Sequence, residues 1–265
     1  MSSRSSSPAQ AGLRVFLTGA SSGIGLALAQ AYAARGASIG LVARKPERLE
    51  ALAAALPGRH LVLPADVGEP AQLADAAERF LTEWGAPDVV IANAGVSVGT
   101  LTEVAEDVAA FEQVLRTNVL GMVASFQPFV EPMRARGHGR LVGIASVAGI
   151  RGLPGAGAYS ASKAAALAYL ESLRVELRGT GLRVVTIAPG YIDTPMTAVN
   201  PYPMPFLLPA DEAARRMLGV IDAGRSYAVV PWQMGVAAKL LRMLPNPVFD
   251  ALFARAGRKP RGLPL

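Results

Sequence analysis

Tyr159 and Lys163 stand four residues apart in the run Ala158-Tyr159-Ser160-Ala161-Ser162-Lys163, at the head of an alanine-rich stretch that reads as a helix as far as Glu176. That spacing is about one helical turn, so both side chains leave the same face. A tyrosine hydroxyl titrates near ~10 and is a poor acid at neutral pH, but a lysine cation held close favours the phenolate and brings the proton into reach. The pair is a candidate proton donor. Spacing alone is a weak signal, because an exposed helix pair would look the same. Ser146, Asn118 and a glycine-rich turn near the N-terminus give the pair its company.

These side chains must be positioned by something, and the N-terminal third supplies it. Leu13 to Leu17 is a short apolar run entering Thr18-Gly19-Ala20-Ser21-Ser22-Gly23-Ile24-Gly25, and Leu26 to Arg35 is a helix former stopped by Gly36. Strand, glycine turn and helix together make a phosphate-binding arrangement: glycine lets the backbone approach a pyrophosphate, and the helix start offers free N–H groups. A second strand, Ser38 to Ala43, is followed by Arg44 and Lys45, with no carboxylate before Glu47. An acid about twenty residues beyond the glycine turn would hold a ribose 2′-hydroxyl, whereas Arg44 suits a 2′-phosphate.

Helices are expected over Pro46 to Leu56, Ala71 to Trp84, Glu103 to Arg136 and Tyr159 to Glu176, and from Asp211, as cap, to Ala223. Strands are expected over His60 to Ala65, Asp88 to Ala92, Arg140 to Ala145, Leu182 to Ala188 and Ser226 to Pro231. Alternating βα units of this kind imply a parallel sheet with helices on both faces. Asp66-Val67 closes the third strand, where the acid could meet an adenine amino group or cap the next helix. Asn93-Ala94-Gly95 is a tight turn after the fourth strand. Asn118 lies among Val114, Leu115, Val119 and Leu120, so it needs partners if buried. Ser146 follows the fifth strand, and Pro189-Gly190 breaks the sixth. Tyr191 to Pro209, with five prolines and Met196, Met204, Phe206, Leu207 and Leu208, suits a flap over an apolar ligand or a loop packed on the core.

Composition bounds the remaining classes. The 265 residues are 51% apolar and contain no cysteine, which excludes disulfides and thiolate chemistry; His60 and His138 lie far apart, and no metal site is expected. The net charge is +6, but Trp232 to Leu265 holds Lys239, Arg242, Arg255, Arg258, Lys259 and Arg261 against Asp250 alone, or +5 of the total. The body is nearly neutral, so nucleic acid is not an expected partner. Residues 1–12 read as a disordered tail, 13–231 as one dinucleotide-binding unit that includes the chemistry, and 232–265 as a basic amphipathic extension packed on or beside it. In that extension Val236, Leu240, Leu241, Met243 and Leu244, then Val248, Phe249, Leu252 and Phe253, form two apolar stripes parted by Pro245-Asn246-Pro247. Two short helices meeting at a proline break are expected.

The set Thr18-Gly19-x-x-x-Gly23-x-Gly25, Asn93-Ala94-Gly95, Asn118, Ser146, Tyr159-x-x-x-Lys163 and Pro189-Gly190 with Thr194, in that order from Leu13 to about Pro231, resembles the short-chain dehydrogenase/reductase family in its single-domain branch. The resemblance implies an α/β fold, a Rossmann-type doubly wound sheet of about seven parallel strands. It implies Asn118, Ser146, Tyr159 and Lys163 as the catalytic group, with Asn118 anchoring a water that links Lys163 to solvent. It also implies a cofactor site made of Gly19, Ser21, Ser22, Gly23, Ile24, Gly25, Arg44, Asp66, Val67, Asn93, Ala94, Gly95, Tyr159, Lys163, Pro189, Gly190, Ile192 and Thr194.

NADP(H) is expected in preference to NAD(H), and the substrate is a carbonyl or alcohol compound of largely apolar character. Val96, Val98, Ile150, Leu153, Tyr191, Met196 and Phe206 are expected pocket walls. The other readings are a cofactor-binding regulator without turnover and a lyase or epimerase using the same tyrosine and lysine. Two departures from the family pattern stand out: Ala92 replaces an asparagine often found before the Asn-Ala-Gly turn, and the extension replaces a short glycine-rich ending. A homodimer or other homo-oligomer is expected, in the cytoplasm, with peripheral contact to an anionic membrane as the alternative use of the extension.

Overall fold

Along β1 (Arg14–Thr18) successive side chains leave opposite faces of the strand, so Val15 and Leu17 enter one apolar cluster and Phe16 the other. All are fully buried, as a strand covered on both sides requires. A computed structural model describes residues 12–263, so the expected disordered tail lies outside the described residues apart from Gly12. After β1 come α1 (Gly23–Ala33), β2 (Ser38–Ala43), α2 (Pro46–Ala55), β3 (His60–Pro64), α3 (Pro70–Trp84) and β4 (Val89–Ala92). Then follow α4 (Asp107–Leu115), a π-helical turn (Arg116–Leu120), α5 (Gly121–Arg136), β5 (Gly139–Ile144), α6 (Gly157–Glu176) and β6 (Leu182–Pro189). The last part holds β7 (Ile192–Asp193), α7 (Pro195–Ala198), β8 (Leu208–Pro209), α8 (Ala210–Asp222), β9 (Tyr227–Val230), α9 (Trp232–Met243) and α10 (Asn246–Phe253).

Seven strands form one parallel sheet in the order β3-β2-β1-β4-β5-β6-β9. This is the expected Rossmann-type doubly wound architecture. One face packs against α1, α2 and α8, through Leu28, Tyr32, Leu49, Met217 and Ile221. The other packs against α3, α5 and α6, where Phe16, Phe80 and Phe129 meet with ring centroids 4.6 to 5.8 Å apart. Close approach is built in by glycine: a Cβ on Gly40 would lie 2.6 Å from the Phe80 ring, and one on Gly143 would lie 2.4 Å from Leu170. Strand order reverses between β1 and β4, and in open α/β sheets the crevice at that point is where ligands bind.

Three local expectations are corrected. The helix expected from Glu103 starts at Asp107, because the Asp107 carboxylate accepts from the Leu101 amide at 2.7 Å and holds the preceding residues in turns. That helix does not run evenly to Arg136: it passes through the π turn at Arg116–Leu120. Asp211 does not cap α8; Pro209 is the N-cap and Asp211 sits in the first turn. On α9, where the sequence left the direction of the stripe open, it points outward, with Val236 49%, Leu240 55% and Met243 72% exposed. The small face of Met234, Gly235 and Ala238 packs inward instead, against Gly190 and Val229.

The two-helix extension is tied to the body by Arg151. Its guanidinium donates to the Leu241 carbonyl, to that of Leu244 at 2.7 Å and to Asn246 Oδ1 at 3.1 Å, which closes the C-terminus of α9. The same group lies 3.9 Å from the ring centroid of buried Phe249. Residues 191–209 pack on the core only at their ends, where β7 pairs with β8 and Ile192 and Leu208 join the first apolar cluster, while Met196, Val199, Phe206 and Leu207 are exposed. Among the described residues no helix is long and apolar enough to cross a membrane.

Candidate active site

The site is built from the carboxyl ends of β1, β4, β5 and β6. Thr18 closes β1, and its buried hydroxyl accepts from the amides of Asn93 and Ala94, both at 3.1 Å, while donating to the Ile91 carbonyl at 3.4 Å. Asn93 answers with Nδ2, which donates to the carbonyls of Thr18 at 3.0 Å and Gly19 at 3.4 Å. The glycine turn therefore lies against the Asn93 turn with no room for side chains. A Cβ on Gly25 would sit 2.0 Å from the Gly19 carbonyl oxygen, and Gly19 itself has φ +68°.

Two cavities open on either side of this contact. The first, about 170 Å³, is walled by Gly19, Ser22, Gly23, Ile24, Asn93, Ala94, Gly95, Ser146, Tyr159, Lys163, Pro189, Gly190, Ile192 and Thr194. The second, about 200 Å³, takes Ser21, Arg44, Asp66 and Val67, and shares Gly19, Ser22, Ala94 and Gly95 with the first. Of the expected catalytic and cofactor-binding residues, only Gly25 and Asn118 line neither, and of the expected pocket walls Val98, Ile150, Leu153, Tyr191 and Phe206 line neither. The paired cavities have the two-lobed form a dinucleotide needs, across the glycine cradle and the N-terminus of α1. Asp66 does not cap α3, whose N-cap is Glu69; Asp66 Oδ1 accepts from the Gly68 amide at 2.8 Å.

In the first cavity, Ser146 follows β5 and its Oγ accepts from the Ala148 amide at 3.2 Å. Tyr159 and Lys163 rise from the first turns of α6. Lys163 Nζ is buried, donates to the Ile144 carbonyl at 2.8 Å, and lies 5.8 Å from the Tyr159 ring centroid. Burial pushes the Lys163 ammonium down to about 8. The expectation that lysine would pull Tyr159 below its ordinary value is reversed here. Burial raises the Tyr159 hydroxyl, and the opposing influence is a hydrogen bond from Ser146. The lysine is itself desolvated and its hydrogen bond goes to backbone, so it does not offset the desolvation of the phenol.

Asn118 sits in the π turn, where one extra residue in the turn places a polar side chain inward amid apolar neighbours. Its Nδ2 donates to the Val96 carbonyl at 3.0 Å and to Ser162 Oγ at 2.9 Å, and its Oδ1 accepts from the Val96 amide at 2.8 Å. Ser162 in turn donates to the Tyr159 carbonyl at 2.8 Å. The asparagine thus braces the loop after β4 against the helix that carries the tyrosine. Thr194 stands over the glycine turn, with Cγ2 3.2 Å from where a Gly23 Cβ would be, and forms a capping box with Thr197 at the start of α7.

The family model described as short chain dehydrogenase matches residues 14–202. The chain belongs to that family. As a short-chain dehydrogenase it is an oxidoreductase, and relatives of full length agree. It is 40% identical over 247 residues to an uncharacterized oxidoreductase of Myxococcus xanthus, covering 90% of this chain and 95% of the relative. A short-chain dehydrogenase/reductase from Burkholderia phymatum, solved in complex with NAD, shares the fold with a TM-score of 0.80 at 23% identity, covering 96% of this chain and 99% of that one. An alcohol dehydrogenase from Thermococcus sibiricus, complexed with 5-hydroxy-NADP, matches with a TM-score of 0.72 at 26% identity over 82% of this chain and 95% of the other.

Sequence reading missed several neighbours of the short-chain dehydrogenase motifs. Lys45 and Arg48 join Arg44 around the second cavity. Arg48 could have been found, since it follows Arg44 by four at a helix start. Ser162 gave no signal beyond its place between Tyr159 and Lys163. Of the expected pocket walls, Met196 lines the first cavity and Val96 the second, Val98 is buried in a small apolar cluster, and Phe206 is exposed.

The lowered value at Lys163 has a thermodynamic signature. Between about 8 and the ordinary 10.5 the unfolded chain holds a proton here that the folded protein has released, so folding stability gains from rising pH across that window. In denaturant titrations from pH 8 to pH 10, the wild type is expected to gain stability relative to Lys163→Met by on the order of 1 to 3 kcal/mol. A difference between the two proteins that stays flat or shrinks would mean that the ammonium is not held at a desolvation cost.

Proposed function

We propose that the protein is an NADP(H)-dependent oxidoreductase that interconverts a carbonyl and an alcohol on a largely apolar small molecule, with Tyr159 as the acid and base. The observation that carries this reading is the convergence of Ser146, Tyr159 and Lys163 on one cavity, beside a second cavity rimmed by Arg44, Lys45 and Arg48. The nicotinamide cofactor, when bound, supplies or accepts the hydride. The residues present fit such a cofactor. The Gly19–Gly25 turn is closed to any Cβ on its inner side and leaves the start of α1 open to a pyrophosphate, and three cations stand where an adenosine 2′-phosphate would lie. Relatives of this fold are solved with NAD and with an NADP derivative, so the preference for NADP(H) rests on Arg44 and its neighbours.

In reduction, Ser146 donates to the substrate oxygen as negative charge develops there, and Tyr159 gives up its proton to it. The burial that raises Tyr159 keeps the proton on the phenol until the substrate oxygen can take it. Lys163 holds the nicotinamide ribose and meets the phenolate once the proton has left. Asn118 acts as a positioning residue through Val96 and Ser162. In oxidation the same groups run in reverse, with Tyr159 as base.

The partner expectation rests on the outer face of the extension. Trp232, Val236, Leu240 and Met243 on α9 and Leu252 on α10 are 49 to 72% exposed, an apolar face that the body leaves uncovered. This supports a homo-oligomer contact. Leu240→Glu with Met243→Glu is expected to convert a dimer to a monomer in light scattering. A monomeric wild type that sediments with anionic liposomes at low salt would turn the same face to the membrane alternative.

A screen of carbonyl compounds for NADPH consumption tests the reaction. Tyr159→Phe should then lower turnover by on the order of 10² or more with cofactor affinity little changed; normal turnover in that variant would remove Tyr159 from the chemistry. Arg44→Ala should weaken NADPH binding by roughly 1.5 to 3 kcal/mol and leave NADH nearly untouched. Equal losses for the two cofactors would show that Arg44 supports structure and does not read the 2′-phosphate.

A further inference from the structure

Beyond α10 the chain turns back over the loop after β4, the start of α4 and the segment between β7 and β8. The Gly99 amide donates to the Pro260 carbonyl at 2.9 Å, and a Cβ on Gly99 would lie 2.1 Å from the Lys259 carbonyl oxygen. Gly257 abuts Tyr202, whose hydroxyl feels the charge of both Tyr191 and Tyr159. Arg261 makes a two-point ion pair with Asp107 at 2.7 and 3.1 Å. These ties fix the strap on the loop after β4, on the start of α4 and on the segment between β7 and β8. Of these, the β7–β8 segment gives the first cavity part of its wall, at Pro195, Met196 and Thr197. The region lies outside the span matched by the family model.

Within the strap, Lys259 is unusual. It is only 8% exposed, and its Nζ donates to a single acceptor, the Met196 carbonyl, at 2.8 Å. Met196 is itself a wall of the cavity that holds Ser146 and Tyr159. No carboxylate among the described residues pairs with this ammonium, whereas the neighbouring Arg261 has Asp107. Burial without a counter-charge pushes Lys259 down to about 8. A buried charge is normally paired, and one left unpaired at the edge of a ligand cavity is matched by charge that arrives with the ligand.

We propose that Lys259 is a specificity-determining residue that takes an anionic group of the substrate, so that the compounds accepted are carbonyls or alcohols with an apolar body and a carboxylate or phosphate at the end remote from the reacting carbon. This rests on the first cavity being the substrate site. An ammonium carries three N–H donors, and the Met196 carbonyl uses one, which leaves two for an anionic oxygen. The strap holds the cation at the rim and away from Tyr159, so the charge selects the substrate by its far end and leaves the reacting end to Ser146 and Tyr159.

The test compares a keto acid with the keto amide of the same length. Wild-type protein should prefer the acid by at least about tenfold in kcat/KM, with the difference in KM. Lys259→Gln keeps a donor for the Met196 carbonyl but removes the charge, and should abolish that preference; Lys259→Arg should restore most of it. Calorimetry of the NADP⁺-loaded protein with a saturated alkanoate reads the same subsite without turnover, and binding should be lost in Lys259→Gln. Equal handling of acid and amide by the wild type would overturn the proposal, as would an equal loss for both in the glutamine variant, which would make Lys259 a tie for the flap only. If no carbonyl compound is reduced while alkanoate binding still depends on Lys259, the anion site stands and the reductase reading falls. If reduction occurs with no dependence on Lys259, the reverse holds.

Discussion

One buried hydroxyl sets the geometry on which both cavities depend. Thr18 Oγ1 joins the ends of β1 and β4 where the strand order reverses, accepting two amides and donating to a carbonyl. At that point the following chain segments diverge to opposite faces of the sheet, so nothing in the sheet's own hydrogen bonding holds the two turns together. A polar group buried there must be fully satisfied or it is costly. With Asn93 returning bonds to Thr18 and Gly19, the glycine turn and the Asn93 turn become a single floor. Each cavity is one side of that floor.

The two ionisable groups of the first cavity and its rim share a physical condition. Lys163 and Lys259 are both desolvated, and both donate to a backbone carbonyl with no acidic partner. Tyr159 is moved the other way by the same desolvation. The site therefore holds its protons and charges in a state that ligand binding can relieve, because anionic oxygens brought near either lysine replace the water that burial removed. Asp107 shows the contrast: Arg261 and the Leu101 amide hold its carboxyl below the usual carboxylate range, and it is a structural tie.

How much of this was legible in the sequence follows from which signals are local. The seven strands were legible, since a sheet covered on both faces forces short apolar runs such as Val89–Ala92 between helices, but their order in the sheet came only from the structure. Most of the candidate residues line the two cavities because Thr18, Asn93, Ser146 and Pro189 lie at or just after strand ends and α6 brings Tyr159 and Lys163 beside them. The π turn was not legible, because apolar spacing around Asn118 fits an ordinary helix and the extra residue shows only in the backbone. The direction of the Tyr159 shift was not either: four-residue spacing places Lys163 nearby but says nothing of its burial or of the Ile144 carbonyl that takes its hydrogen bond. On α9 the sequence stripe of Val236, Leu240 and Met243 left open whether it met the body, a second subunit or a membrane surface. The true packing face is made of small residues, which carry little periodic signal.

The ties that close the rim are long in sequence. Arg261 and Asp107 are 154 residues apart, Arg151 and Leu244 are 93 apart, and Lys259 and Met196 are 63 apart. Contacts of such separation close long loops, and each doubling of loop length adds only about 0.6 kcal/mol to the closure cost. Interactions absent from the folding transition state act on the rate of unfolding and hardly on the rate of folding. Ties of that kind, where the transition state lacks them, make a strap a kinetic latch. Weakening it would leave the sheet to assemble at its usual pace, while shortening the time that the rim stays shut before the sheet itself comes apart.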